Sequence, residues 1–168
     1  MNRKKIGIIG ATGYTGSELT RILLNHPGAE IAVITSESRA GERFSDVHPF
    51  FRNIVDMPLE SADHIDKYDL DLVFLALPHG VSMDFVKKFQ NKRFKVIDLS
   101  GDFRLSSPET YESWYKKEHT YPEGFEKVAY GIPELFSDEI KNARLVAKPG
   151  CYPTCSILGA APLLSAGK

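Results

Sequence analysis

Two segments of the chain hold residue types whose spacing could do chemistry. The first is Pro149-Gly150-Cys151-Tyr152-Pro153-Thr154, where an apolar triplet, Leu145 to Ala147, gives way to a helical pattern. A cysteine at a helix N-terminus is drawn toward its thiolate by the free N–H groups there, and a thiolate is a nucleophile. By local chemistry alone a single cysteine equally fits a small buried apolar residue. Cys155 lies four residues on, one helical turn away, and is expected to pack inward. That spacing is not Cys-x-x-Cys, which argues against a redox pair. His26, His48, His64, His79 and His119 are scattered and have no ligand spacing to either cysteine, so no metal site is expected.

The second segment is Gly10-Ala11-Thr12-Gly13-Tyr14-Thr15-Gly16. It follows the apolar run Ile6 to Ile9 and opens a helical pattern. Glycine permits the tight turn and the close approach of a ligand. The N–H groups of the following helix attract a pyrophosphate. The spacing G-x-x-G-x-x-G differs from the commoner G-x-G-x-x-G, and its value comes from its place between strand and helix. It predicts a dinucleotide site at Gly10, Thr12, Gly13, Tyr14, Thr15 and Gly16. A tight turn without a ligand is the competing explanation. Past the next strand comes Ser36-Glu37-Ser38-Arg39. Glu37 is placed to bond a ribose hydroxyl, as in NAD enzymes. Ser36, Ser38 and Arg39 together suit a 2′-phosphate, because arginine matches phosphate geometry. The balance favours NADP(H) over NAD.

The elements that must position these residues alternate in type. Ile6 to Ile9 and Ile31 to Ile34 read as strands, with a helix from Tyr14 to Asn25 between them, stopped by Pro27. Thr15, Leu19, Ile22 and Leu23 are expected to share that helix's inner face. Leu70 to Leu77 is almost wholly apolar, as a central parallel strand is. Val81, Phe85 and Phe89 follow at helical spacing, and Val96-Ile97 makes another strand. Ser107-Pro108-Glu109 has the form of a helix start, ahead of Tyr111, Trp114 and Tyr115. A last strand, Leu145 to Ala147, leads to a helix with Ile157, Leu158 and Ala161 on one face. Arg39 to Met57 suggests an ordered loop or a short edge strand. The alternation predicts an α/β fold, a Rossmann-type doubly wound and mostly parallel sheet. In such a sheet Cys151 would face the same crevice as the glycine loop.

Composition excludes several other classes. The chain has 168 residues, 42% hydrophobic, with 21 basic and 22 acidic residues and a net charge of −1. That suits one folded domain rather than a disordered chain. No basic run invites nucleic acid, and no apolar run approaches the 18 or so residues of a membrane span. Two cysteines are too few for a disulfide scaffold, and no leader pattern opens the chain, so a reducing cytoplasm is expected.

Together the segments resemble a known family. Gly10 to Gly16, Phe74-Leu75-Ala76-Leu77-Pro78-His79-Gly80, Asp98-Leu99-Ser100-Gly101-Asp102-Phe103-Arg104-Leu105, Tyr130-Gly131-Ile132-Pro133-Glu134 and Pro149 to Thr154 are similar, in order, to the N-terminal half of the N-acetyl-γ-glutamyl-phosphate reductases of arginine biosynthesis. Aspartate-semialdehyde dehydrogenases, which share the loop type and a catalytic cysteine in another context, are the runner-up, and a lysine-pathway counterpart is a further alternative. The resemblance implies an NADPH-dependent reduction of an acyl phosphate, with Cys151 as nucleophile and inorganic phosphate as the leaving group. It implies that residues 1–150 form the cofactor domain and that 151–168 open a substrate and dimerisation domain. The remainder of that domain, with its acid/base histidine, would lie outside these residues, in a homo-oligomeric full-length protein. Pro78 and His79 would lie beside the cofactor, with His79 as a capping or packing residue in the alternative. Arg104 and Tyr152 would hold substrate, unless Arg104 pairs structurally with Asp98 or Asp102. A non-catalytic NADPH-binding module is the competing class, and the reactivity of Cys151 tells the two apart.

Overall fold

A computed structural model describes residues 3–167. Among them β1 (Lys4–Ile9), β2 (Ala29–Thr35), β3 (Leu72–Leu75), β4 (Lys95–Asp98), β5 (Val128–Tyr130) and β6 (Leu145–Ala147) form one parallel sheet in the order β2-β1-β3-β4-β6-β5. Successive side chains of a strand point to opposite faces, and here each face feeds its own core. Ile6 and Ile8 of β1 join Ile34, Phe44 and Phe51 on one side. Ile9 joins Val33, Val73, Leu75, Met83 and Phe89 on the other. Helix α1 (Tyr14–Leu24) sends Leu23 into the first core. Both faces are therefore covered, as the doubly wound expectation requires.

The inner face of α1 differs from the one its apolar spacing predicts. Gly16, Ser17, Thr20 and Leu23 are buried, whereas Ile22 is 51% exposed. Small side chains let the helix lie close to β1, and Thr20 returns its hydroxyl hydrogen to the Gly16 carbonyl at 2.8 Å. Close approach outweighs the longer apolar stripe.

The segment after β2 forms no edge strand. It winds into α2 (Phe44–Val47) and a 3-10 turn at Pro49–Phe51, closed by an isolated antiparallel Arg43–Pro58 bridge, while an isolated parallel Thr35–Glu60 bridge ties the chain beyond it to the end of β2. Phe44 and Phe51 plug the core beside Ile8 and Ile34, and this burial fixes the segment. β3 is also shorter than the apolar run around it, because Pro78 has no N–H with which to extend the ladder.

Helix α3 (Ser82–Phe89) follows β3, and α4 (Pro108–Tyr115) is capped by Ser107, whose hydroxyl accepts from Thr110 N–H at 3.2 Å. β5 and α5 (Pro133–Asn142) are additions to the elements expected from the sequence, and α5 buries none of its residues. Helix α6 (Cys151–Ser165) begins directly after β6 and likewise has no buried residue. Thr154, Ile157, Leu158 and Ala161 are half-buried along one side of it. None of the described helices is long and apolar enough to cross a membrane.

Candidate functional site: a dinucleotide cavity and a cysteine at a helix N-terminus

Strand order reverses at β1, with β2 on one side and β3 on the other. Ligands of such sheets bind outside the carboxyl ends of the strands at that switch. A cavity of about 630 Å³ lies there. Gly10, Thr12, Gly13, Tyr14, Thr15, Ser36, Ser38 and Pro78 line it, as do Glu37, Thr35 and Leu99.

The glycines have separate jobs. Gly10 takes φ of +85°, and an added Cβ would sit 2.4 Å from the Ala76 carbonyl oxygen. Gly16 lies behind the loop, where a Cβ would meet the Gly10 carbonyl oxygen at 2.4 Å. Gly13 is the N-cap of α1 and carries no capping side chain. The first-turn N–H groups of α1 therefore lack the side-chain acceptor that usually occupies a helix start. Thr12 Oγ1 and Ser36 Oγ lie 3.0 Å apart and tie the loop to the end of β2. The Thr35 hydroxyl is buried without a partner at the cavity wall. An orphaned hydroxyl, uncapped N–H groups and a side-chain-free approach fit a phosphorylated dinucleotide.

Past β2 the geometry separates Glu37 from Arg39. Glu37 accepts from Ala62 N–H at 2.9 Å and so tethers the 3-10 turn Ala62–Lys67. Arg39 stands outside the cavity lining, paired with Glu42 at 2.8 Å on the surface. An exposed pair of this kind holds its partners weakly.

His79 is also outside the lining. Its Nδ1 accepts from Gly101 N–H at 2.6 Å, and its ring packs on Tyr115 with centroids 5.2 Å apart. Arg104 makes no ion pair with Asp98 or Asp102. It donates to the Ser100 carbonyl from Nε at 3.1 Å and Nη2 at 2.5 Å, and from Nη2 to the Leu99 carbonyl at 3.3 Å. Nη1 lies 3.0 Å from where a Gly150 Cβ would be. The room that Gly150 leaves is thus filled by the Arg104 guanidinium, which spans from the cavity rim at Leu99 to the start of α6. Cys151 is the first residue of that helix and is exposed, with Tyr152 84% exposed beside it. Cys155 is exposed too, not packed inward, because α6 buries none of its residues.

Two groups escaped sequence reasoning. His48 Nε2 lies 3.1 Å from the Thr12 carbonyl, which can only accept, so His48 donates and braces the glycine loop from α2's side. Asp98, Asp102, Tyr111 and His119 form a buried polar cluster behind the loop after β4. Burial pushes the Asp98 carboxyl up, against the pull of the Ser100 N–H and hydroxyl. Burial, and then the Asp102 carboxylate, push Tyr111 up to about 12. Burial holds His119 down, with Nε2–H donated to the Asp102 carbonyl and Nδ1 accepting from Tyr121 N–H. The signal for this cluster was the repeated acid in Asp98-Leu99-Ser100-Gly101-Asp102.

A parallel sheet with a glycine cradle at its switch point defines a Rossmann-type dinucleotide-binding domain. The chain belongs to the semialdehyde dehydrogenase family, matching its NAD binding domain over residues 5–143. It is 48% identical over 161 residues to the N-acetyl-gamma-glutamyl-phosphate reductase of Acetivibrio thermocellus, covering 95% of this chain and 46% of that protein. It is 45% identical over 166 residues to a LysW-L-2-aminoadipate/LysW-L-glutamate phosphate reductase of Saccharolobus solfataricus, covering 98% of this chain and 47% of that protein. The chain thus spans about half the length of these curated relatives. Its fold matches the aspartate semialdehyde dehydrogenase of Candida albicans, solved with NADP, at a TM-score of 0.73 and 18% identity over 98% of this chain and 48% of that one.

Proposed function

We propose that this chain is the dinucleotide-binding part of an NADPH-dependent acyl-phosphate reductase that converts N-acetyl-γ-glutamyl phosphate to its semialdehyde. The carrying observation is the placement of Cys151, exposed at the N-terminus of α6 next to Gly150, against which packs the Arg104 guanidinium bonded to the cavity-rim carbonyl of Leu99. In this reading the Cys151 thiolate attacks the acyl carbon, the acyl C–O bond breaks, inorganic phosphate departs and a thioester remains on Sγ. NADPH, when bound, would supply the hydride that reduces the thioester carbon. The C–S bond then breaks, releasing the semialdehyde and the Cys151 thiolate. The first turn of α1 holds the pyrophosphate, and Ser36, Ser38 and Arg39 hold the 2′-phosphate once Arg39 leaves Glu42. Glu37 engages Ala62 N–H through Oε1, and the Ser36, Ser38 and Arg39 group is what favours NADP(H) over NAD in this reading. Arg104 Nη1 and Tyr152 meet the substrate's carboxylate or phosphate. Two exposed thiols suit a reducing cytoplasm. The full-length protein is proposed as a homo-oligomer.

The test is phosphate-dependent NADP reduction with N-acetylglutamate semialdehyde, run on the full protein. Cys151→Ser should lose at least about 10³-fold in kcat, the scale of a removed nucleophile. Retained activity would refute the mechanism. The Saccharolobus relative supports a second substrate reading, a carrier-bound aminoadipyl or glutamyl phosphate. Assaying free and carrier-bound semialdehydes side by side separates the two.

A further inference from the structure

Helix α3 lies beside the dinucleotide cavity, and its own sequence gives it no cap. Its N-cap residue is Val81, which has no side-chain acceptor. The missing acceptor comes from another loop. Asp102, fully buried after β4, receives Gly80 N–H on Oδ1 at 2.7 Å and Met83 N–H on Oδ2 at 3.1 Å. Tyr111 OH donates to the same carboxylate at 3.3 Å, and His119 Nε2–H donates to the Asp102 carbonyl at 2.9 Å. A second link runs the opposite way, from Gly101 N–H to His79 Nδ1. The turn after β3 and the loop after β4 therefore hold each other through both backbones. Gly80, with φ of +78°, is the residue that lets the turn bend toward Asp102. Pro78 and Val81, on either side of His79 and Gly80, form part of the cavity wall.

We propose that Asp102 is a positioning residue for the dinucleotide cavity: from the β4 loop it caps α3 and fixes the Pro78–Val81 wall against which the cofactor rests. This rests on the dinucleotide reading given above and adds a residue that touches neither cofactor nor substrate. A carboxylate is suited to the task, since two convergent N–H donors need two acceptor oxygens at the positive end of a helix. Asparagine has the same shape but offers one oxygen and turns an N–H₂ toward the other donor.

The experiment compares Asp102→Asn with Asp98→Asn, its equally buried neighbour, whose carboxylate takes the Ser100 N–H and hydroxyl and faces the Ser82 side chain but receives no backbone N–H of α3. Two quantities are read in the folded chain: amide hydrogen exchange, residue by residue, and the Kd for NADPH from its fluorescence. Asp102→Asn should speed exchange at Gly80 and Met83 while the β1 and β3 amides stay protected. It should also raise the NADPH Kd about 10- to 100-fold, the range of one lost charged hydrogen bond. Asp98→Asn should leave the Kd within about twofold, whatever it does to melting. Unchanged exchange at Gly80 and Met83 in Asp102→Asn, or loosened exchange with an unchanged Kd, overturns the proposal. If the wild-type chain shows no NADPH binding, the dinucleotide reading itself fails and the positioning role falls with it. Should Asp102→Asn not fold, wild-type exchange decides. Gly80 and Met83 amides as slow as those of β3 support the latch, and fast exchange at both overturns it.

Discussion

Replacing the three loop glycines by alanine, one at a time, separates what the fold needs from what a ligand needs. At Gly10 an alanine must adopt φ of +85° and push against the Ala76 carbonyl at 2.4 Å. At Gly16 the angle is unremarkable, but Cβ would lie 2.4 Å from the Gly10 oxygen and 2.6 Å from Ala11 Cα. Backbone atoms on both sides leave little room to yield. Each substitution should cost on the order of 1–3 kcal/mol in overpacking, with about 1–2 kcal/mol more at Gly10 for the left-handed angle. For a chain this long, 1 kcal/mol moves Tm by about 2–4 °C, so Tm should fall by roughly 2–12 °C for Gly16→Ala and roughly 4–20 °C for Gly10→Ala. Gly13 is different. The nearest atom to an added Cβ is 3.8 Å away, and φ is −76°. Losing glycine at an N-cap costs at most about 1 kcal/mol, and the stiffer unfolded chain returns about 0.4–1 kcal/mol. Those terms nearly cancel, so Tm should stay within about 3 °C. The methyl group would nonetheless stand in the cavity, in front of the first-turn N–H groups of α1. Displacing a phosphate from one such N–H loses about 1.5–3 kcal/mol, hence tenfold or more in Kd. NADPH titration and thermal melting on the same samples give both quantities. If Gly13→Ala binds NADPH like the wild type, or melts as early as Gly16→Ala, the division of labour drawn here is wrong.

Arg39→Ala should weaken NADPH by about tenfold while changing NADH within about twofold, because only the former carries the 2′-phosphate; equal losses would show that Arg39 faces no phosphate. Ser107→Ala removes the cap of α4 and should cost about 0.5–2 kcal/mol in denaturant melts, with faster exchange confined to Thr110 and its neighbours. The folded chain holds the His119 pKa below its ordinary 6.5, so its contribution is complete above that value and is lost as pH falls below it. Between pH 6.5 and 5 the wild type should lose stability with a slope from this group of at most about 1.4 kcal/mol per unit. His119→Gln, which keeps an N–H for the Asp102 carbonyl, should flatten that slope, and parallel slopes would contradict the assignment.

Much of the sheet could be read from the chain because its central strands are short apolar runs ended by glycine or proline. Ile6 to Ile9, ended by Gly10, and Leu70 to Leu77, ended by Pro78, announce themselves in this way, and Ser107 announces α4 by its cap. Other elements carry no such local signal. β5 is three residues long and α5 buries no side chain, so neither has a period to detect. The α2 region is shaped by two phenylalanines seven residues apart that reach a core assembled from distant strands. The cavity lining was legible where it follows the glycine loop directly. Arg39, His79 and Arg104 have partners that only the fold brings together: Glu42 across a turn, Gly101 from the next loop, and the carbonyls of Leu99 and Ser100. Asp102 passed as a candidate partner for Arg104, because its true donors are backbone N–H groups that no side-chain pattern reveals.

Helix α6 leaves Leu163 58% and Leu164 71% exposed and carries Gly159 and Pro162 within its fifteen residues. A helix of that length, interrupted and with little to lean on, is marginal in water. Few buried apolar contacts hold it, which is the condition under which a helix opens at low free energy. The N–H groups that flank Cys151 exist as a converging set only while that helix is wound. Whatever shelters the leucines at its far end therefore also governs how much of the time the sulfur at its near end sits in an organised site. Reactivity at one end and solvation at the other are two readings of a single folding equilibrium.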